Sequence, residues 1–162
     1  MVKLRKVNLK GTKTVLVMLK ISKLADYAVL IVVELSRSKD ISLSATQVSE
    51  ATGLQLPTVR KILKLLARAS VLDAKRGADG GYILNRPPEH MNVLEIIEAM
   101  DGTMAITECC DQRGHCEVAG CHMKPFWSQV NQHIRNTLRQ LILSDVLNRR
   151  DQTILKMMET KG

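Results

Sequence analysis

The chain has 162 residues, of which 45% are hydrophobic and 25% charged, and its formal net charge is +8. Those proportions belong to a soluble globular domain with an extension, and no apolar stretch is long enough to cross a membrane. The positive excess points to a polyanionic partner, although Lys3, Arg5, Lys6, Lys10 and Lys13 place five of those charges in a leader without acidic residues.

Residues 1–17 are expected to be a basic leader outside the fold, with Met18-Leu19-Lys20 as an alternative start. The longest apolar run there, Val15 to Leu19, is shorter than a signal-peptide core. The expectation is therefore a cytoplasmic protein. Ser22 then reads as the N-cap of a first helix whose Leu24, Tyr27, Ala28, Ile31 and Leu35 recur at helical spacing. Ser44-Ala-Thr-Gln47 has the form of a capping box and opens a short helix, Ala45 to Ala51, that stops at Gly53. Pro57 suits the first position of a third helix, with Val59, Ile62, Leu63 and Leu66 as an apolar stripe. Thr58, Arg60, Lys61, Lys64 and Arg68 fall on the opposite side, so the pair reads as a helix-turn-helix with a basic recognition face.

Val71 to Ala74 and Tyr82 to Leu84 read as two short strands around Lys75-Arg-Gly-Ala-Asp-Gly-Gly81. Gly77, Gly80 and Gly81 are expected to supply the positive φ angles of a tight hairpin. Placed after a recognition helix, that hairpin is a wing, its tip carrying Lys75 and Arg76. Asn92-x-x-Glu95 is a second capping-box form and opens another helix, closed by Asp101-Gly102. Pro125 begins a long helix with Phe126, Val130, Ile134, Leu138, Leu141 and Val146 along one side. Since nothing else in the chain is left to bury that side, it is expected to be a dimerisation helix, with packing back on its own domain as the alternative.

The fold class expected is mainly α with a small β-hairpin: a winged helix-turn-helix plus a long C-terminal dimerisation helix. The parts are a leader (1–17), a DNA-binding domain (18–88), a helix with a cysteine loop (89–124), the dimer helix (125–147) and a polar tail (148–162).

All four cysteines, Cys109, Cys110, Cys116 and Cys121, lie within thirteen residues. In a reducing cytosol such clustering favours metal or redox use over structural disulfides. Gaps of five and four residues suit an iron–sulfur cluster, whereas zinc knuckles favour closer pairs. Zinc completed by His115 or His122, or a thiol switch using Cys109, remain alternatives on spacing alone. Adjacent Cys109 and Cys110 do not easily point at one centre, so one is expected to be dispensable.

Ser22-Lys-Leu-Ala-Asp-Tyr-Ala28, Arg76-Gly-Ala-Asp-Gly-Gly-Tyr-Ile-Leu84, the cysteine loop and the long helix after it resemble the Rrf-type family of bacterial winged-helix regulators. That family includes the IscR, NsrR and SUF-operon regulators, and the resemblance covers roughly residues 18–147. It implies a homodimer on a palindromic DNA operator, with an iron–sulfur cluster on Cys110, Cys116 and Cys121. The IscR branch has a His three residues after the last cysteine, where this chain has Lys124, whose ammonium has no lone pair to give. The NsrR branch instead implies Asp26 of the partner subunit as fourth ligand, with His122, His115 and Cys109 as rivals.

For DNA, the expected base readers are Thr58, Arg60, Lys61 and Lys64. Ser22, Lys23, Lys75, Arg76 and Tyr82 are the expected phosphate contacts. No phosphate-binding glycine loop and no Ser/His/Asp arrangement is legible, so an enzyme is not expected, nor a small-molecule substrate or a membrane partner. The function implied is a cluster-sensing repressor of SUF-type assembly genes. A nitric-oxide or iron-responsive repressor, or a zinc-stabilised DNA-binding protein without sensing, are the alternatives.

Overall fold

The computed structural model describes residues 21–38, 41–77, 80–111 and 121–148. The leader 1–17 and almost all of the tail fall outside them, as do His115 and Cys116. Among the described residues no helix is long and apolar enough to cross a membrane.

Helix α1 spans Lys23–Arg37, and Ser22 caps it by accepting from the Ala25 amide at 3.1 Å. Ala25, Ala28, Ile31, Val32, Val33 and Leu35 are buried, so α1 is covered on more than one side and forms the axis of the core. Helix α2 (Ala45–Thr52) opens on the expected reciprocal box, Ser44 accepting from the Gln47 amide and Gln47 accepting from the Ser44 amide. It ends at Gly53 in the left-handed region, φ 70°, a conformation that a Cβ disfavours. Helix α3 follows at Leu56–Arg68 with Pro57 in its second position rather than its first. Either place avoids the missing N–H, because the first turn has no intrahelical acceptor for it.

Strands β1 (Leu72–Lys75) and β2 (Gly81–Leu84) pair antiparallel, Leu72 opposite Leu84 and Lys75 opposite Gly81. Among the described residues of this hairpin only Gly77 has positive φ, at 114°, so the expectation for Gly80 and Gly81 is corrected. Those two glycines are required for close approach. A Cβ on Gly80 would stand 2.7 Å from the Gly77 carbonyl oxygen, and one on Gly81 2.6 Å from the Leu43 carbonyl. Leu43 exchanges two backbone hydrogen bonds with Tyr82, at 3.0 and 2.8 Å, and so adds a one-residue third strand to the wing.

Helix α4 (Val93–Asp101) is opened by the Asn92–Glu95 box and closed at Gly102, φ 82°. It packs on α1 and α3, and Met91 and Ile96 share one core with Ile31, Ile62 and Leu66. The core is thus continuous across residue 88, where a domain boundary was expected. Helix α5 runs over Lys124–Gln140 and does not continue to residue 147. The chain turns at Leu141, Ile142 bridges to Asn92, and Leu143 is fully buried in the core with Val146 and Leu147 packed beside it. The end of the apolar run therefore packs on its own domain, which corrects the expectation that the whole stripe lacks a partner within the chain.

Candidate nucleic-acid interface and cysteine turn

Helix α3 buries Val59, Ile62, Leu63 and Leu66 and leaves Arg60, Lys61, Lys64 and Arg68 exposed. At 3.6 residues per turn those four cations fall within an arc of roughly 100° opposite the buried stripe. Thr58 lies at the border, half-buried. The turn that aims α3 is held by side chains of α2. Ser49 Oγ donates to the Leu54 carbonyl at 2.6 Å, and Thr52 Oγ1 accepts from the Leu54 amide at 3.4 Å.

Lys75 and Arg76 are exposed at the wing tip, and Lys23 is exposed at the start of α1. Ser22 is half-buried; its hydroxyl oxygen is engaged as the α1 cap, and its amide donates to Asp101 Oδ2 at 3.2 Å. Tyr82 is half-buried and packs against the core, a placement that favours anchoring β2 over reaching phosphate.

The cysteine region begins with a single 3-10 turn, Glu108–Cys110, packed on α5. In such a turn residues three apart eclipse one another, which brings Thr107 against Cys110. Thr107 Oγ1 donates to Cys110 Sγ at 3.2 Å and lies 3.1 Å from Cys109 Sγ. In the Cys109 contact either group can donate, so the one hydroxyl stands within hydrogen-bond reach of both sulfurs. Both cysteines are half-buried.

The limb leading to this turn is clamped, a feature not anticipated from the sequence. Asn131 on α5 is 8% exposed; its Oδ1 accepts from the Ile106 amide at 3.1 Å and its Nδ2 donates to the Met104 carbonyl at 3.3 Å. Arg135 pairs with Glu98 of α4 and also donates to the Met104 carbonyl at 3.3 Å, while Glu98 Oε1 accepts from the Met104 amide at 2.8 Å. A polar pair at i and i+4 on an otherwise apolar helix side was the available signal.

Cys121 is half-buried just before α5, and His122, Lys124 and Asp26 are exposed. Among the described residues no three His, Cys, Asp or Glu side chains gather around a common point. The structure sets Cys109 and Cys110 each against the Thr107 hydroxyl, while Cys116 lies outside the described residues. Asp26 stands in the first turn of α1, where a carboxylate also complements the helix dipole.

Beside the clamp, α4, α5 and residues 102–106 enclose an open apolar groove of about 700 Å³, lined by Ile97, Met104, Ile106, Ile134 and Leu138. Met123 and Phe126 at the start of α5 are 48% and 51% exposed.

A helix-turn-helix with a cationic outer helix, a basic wing and a thiol-bearing turn have known counterparts. The model of the Rrf2 family, described as an iron-dependent transcriptional regulator, matches residues 21–149. The regulator IscR of Cereibacter sphaeroides is 31% identical over 137 residues, covering 80% of this chain and 87% of that one. The structure of T. potens IscR superposes with a TM-score of 0.64 at 26% identity, covering 83% of this chain and 90% of that one. CymR, the global cysteine regulator of B. subtilis, shares the fold with a TM-score of 0.64 at 21% identity, over 81% of this chain and 98% of its own. These relatives are regulators and not enzymes, and the chain belongs with them as a member of the Rrf2 family of transcriptional regulators.

Proposed function

We propose that this regulator is a cytoplasmic, homodimeric repressor that reads the state of an iron–sulfur cluster at the cysteine region, and that its targets are iron–sulfur assembly genes of the SUF type. The observation that carries the reading is the Thr107 hydroxyl donating to the Cys110 sulfur, on a turn tied to α5 through the Asn131 limb. A hydroxyl donor suits a ligating thiolate, whose charge and potential respond to such hydrogen bonds. Cys110, Cys116 and Cys121 would hold the cluster. Asp26 of the partner subunit would be the fourth ligand, with Cys109 and His122 as rivals. The cluster would supply a redox- and iron-sensitive centre.

The chain's own residues would transmit its state. Asn131, Arg135 and Glu98 tie the limb at Met104–Ile106 to α5 and α4, and α4 packs on α3. A shift of the limb would then reach the recognition helix through packed elements. Two half-sites one helical turn apart demand a particular spacing of the two α3 helices. The apolar groove and the exposed start of α5 support a second copy as their cover. Thr58, Arg60, Lys61 and Lys64 would read base edges. Ser22, Lys23, Lys75 and Arg76 would hold phosphates, with Tyr82 a lesser contributor.

The test is the visible spectrum of protein purified without oxygen, with iron and acid-labile sulfide assayed on the same sample. Charge-transfer bands with matched iron and sulfide are expected. A colourless protein carrying stoichiometric zinc, with no cluster after anaerobic reconstitution, overturns the sensor and leaves a zinc-stabilised DNA-binding protein.

A further inference from the structure

We propose that Cys109 and Cys110 form a chelating dithiol for trivalent arsenicals, a thiophilic ligand class distinct from the cluster. Two half-buried thiols on one 3-10 turn share a neighbour, with Thr107 Oγ1 at 3.1 Å from Cys109 Sγ and 3.2 Å from Cys110 Sγ. Both sulfurs therefore flank one point beside the turn. Trivalent arsenic is soft and exchanges oxygen for sulfur, so two convergent thiols hold it where a single thiol releases it.

With phenylarsine oxide as probe, the As=O unit and two S–H bonds are lost and two As–S bonds form. Both thiol protons leave with the oxygen as one water. Arsenic remains trivalent throughout, so no oxidant or reductant enters. The probe has only two exchangeable valences, which makes it a reporter of a thiol pair.

The site rests on these three residues alone and stands whether or not the cluster reading holds. If both hold, Cys110 belongs to both, and the arsenical and the cluster exclude one another.

The experiment titrates full-length protein, reduced and metal-free under anaerobic conditions, with phenylarsine oxide, and follows the adduct by intact mass. One probe should bind with loss of one water. A dithiol such as dimercaptopropanol should remove it, and an equal concentration of a monothiol should not. Cys109→Ser and Cys110→Ser should each weaken capture on the order of 100-fold, the effective-concentration advantage of the second thiol. Cys121→Ser should leave it unchanged. Thermal midpoints of the variants, with Cys109→Ala as a second replacement, separate loss of the site from loss of the fold. Wild-type capture by Cys109→Ser, or its loss in Cys121→Ser alone, overturns the proposal by assigning the pair elsewhere.

Discussion

Replacing Asn131 with alanine should destabilise the protein by about 2 kcal/mol, far more than a typical substitution on the outer side of a helix. The side chain is 8% exposed and makes two hydrogen bonds to backbone across 25 and 27 residues of sequence. Truncation does not affect the two ends equally. The Met104 carbonyl keeps Arg135 as a donor at 3.3 Å, so it retains a partner. The part-buried Ile106 amide loses the Asn131 carbonyl oxygen it points to, and a donor left unsatisfied away from water costs about 1–3 kcal/mol. Gln132→Ala is the control, because Gln132 is exposed and, among the described residues, bonds the Asn136 side chain one turn along. Its cost should stay within about 0.5 kcal/mol. Urea unfolding of both variants measures the difference, which at 2 kcal/mol is roughly a 30-fold change in the ratio of folded to unfolded protein. An unchanged m-value with a lowered midpoint is expected for Asn131→Ala. Equal midpoints for the two variants would refute the clamp.

Other consequences follow from the same geometry. Gly81→Ala should lower the thermal midpoint and weaken DNA binding together, because the new Cβ would collide with the Leu43 backbone and push the wing off the domain. Leu143→Ala should cost about 2–5 kcal/mol, as for a fully buried core leucine; a cost below 1 kcal/mol by denaturant titration would return residues 143–147 to a free dimer helix. Lys61→Ala and Lys64→Ala should each relax sequence preference and leave the log–log salt slope of DNA affinity unchanged, as expected of residues that read base edges. A slope flattened by about 0.9 would instead assign that residue to phosphate.

Much of the fold was legible because its signals are local. Ser22, Ser44–Gln47, Gly53 and Asn92–Glu95 each mark a helix end through bonds that close within one turn, and all four act as read. The stripe of α3 was legible for the same reason: four buried residues at helical spacing leave the cations only one place to go. What escaped depends on chain segments far apart. Gly81 is required by Leu43, nearly forty residues away, and no turn rule contains that contact. The break after Gln140 has no glycine or proline to announce it. It follows from Ile142 pairing with Asn92 and Leu143 entering the core, so a helical period read through residue 146 overran it. At the candidate site, cysteine spacing pointed to the chemistry but not to the pairing of neighbours. Thr107, at the head of a 3-10 turn, reaches both Cys109 and Cys110, a geometry that adjacency in sequence does not reveal.

The most direct measurement of the central claim is operator affinity with and without the cluster, on one preparation. Duplexes selected from a random pool by the anaerobic protein would supply the operator, and fluorescence anisotropy at fixed salt the affinity. The cluster-loaded dimer should bind tighter, and removing the cluster should weaken binding on the order of 10-fold, a usual size for coupling between sites. Equal affinity in the two states would contradict it, and the cysteine region would then have no part in setting how the regulator meets DNA.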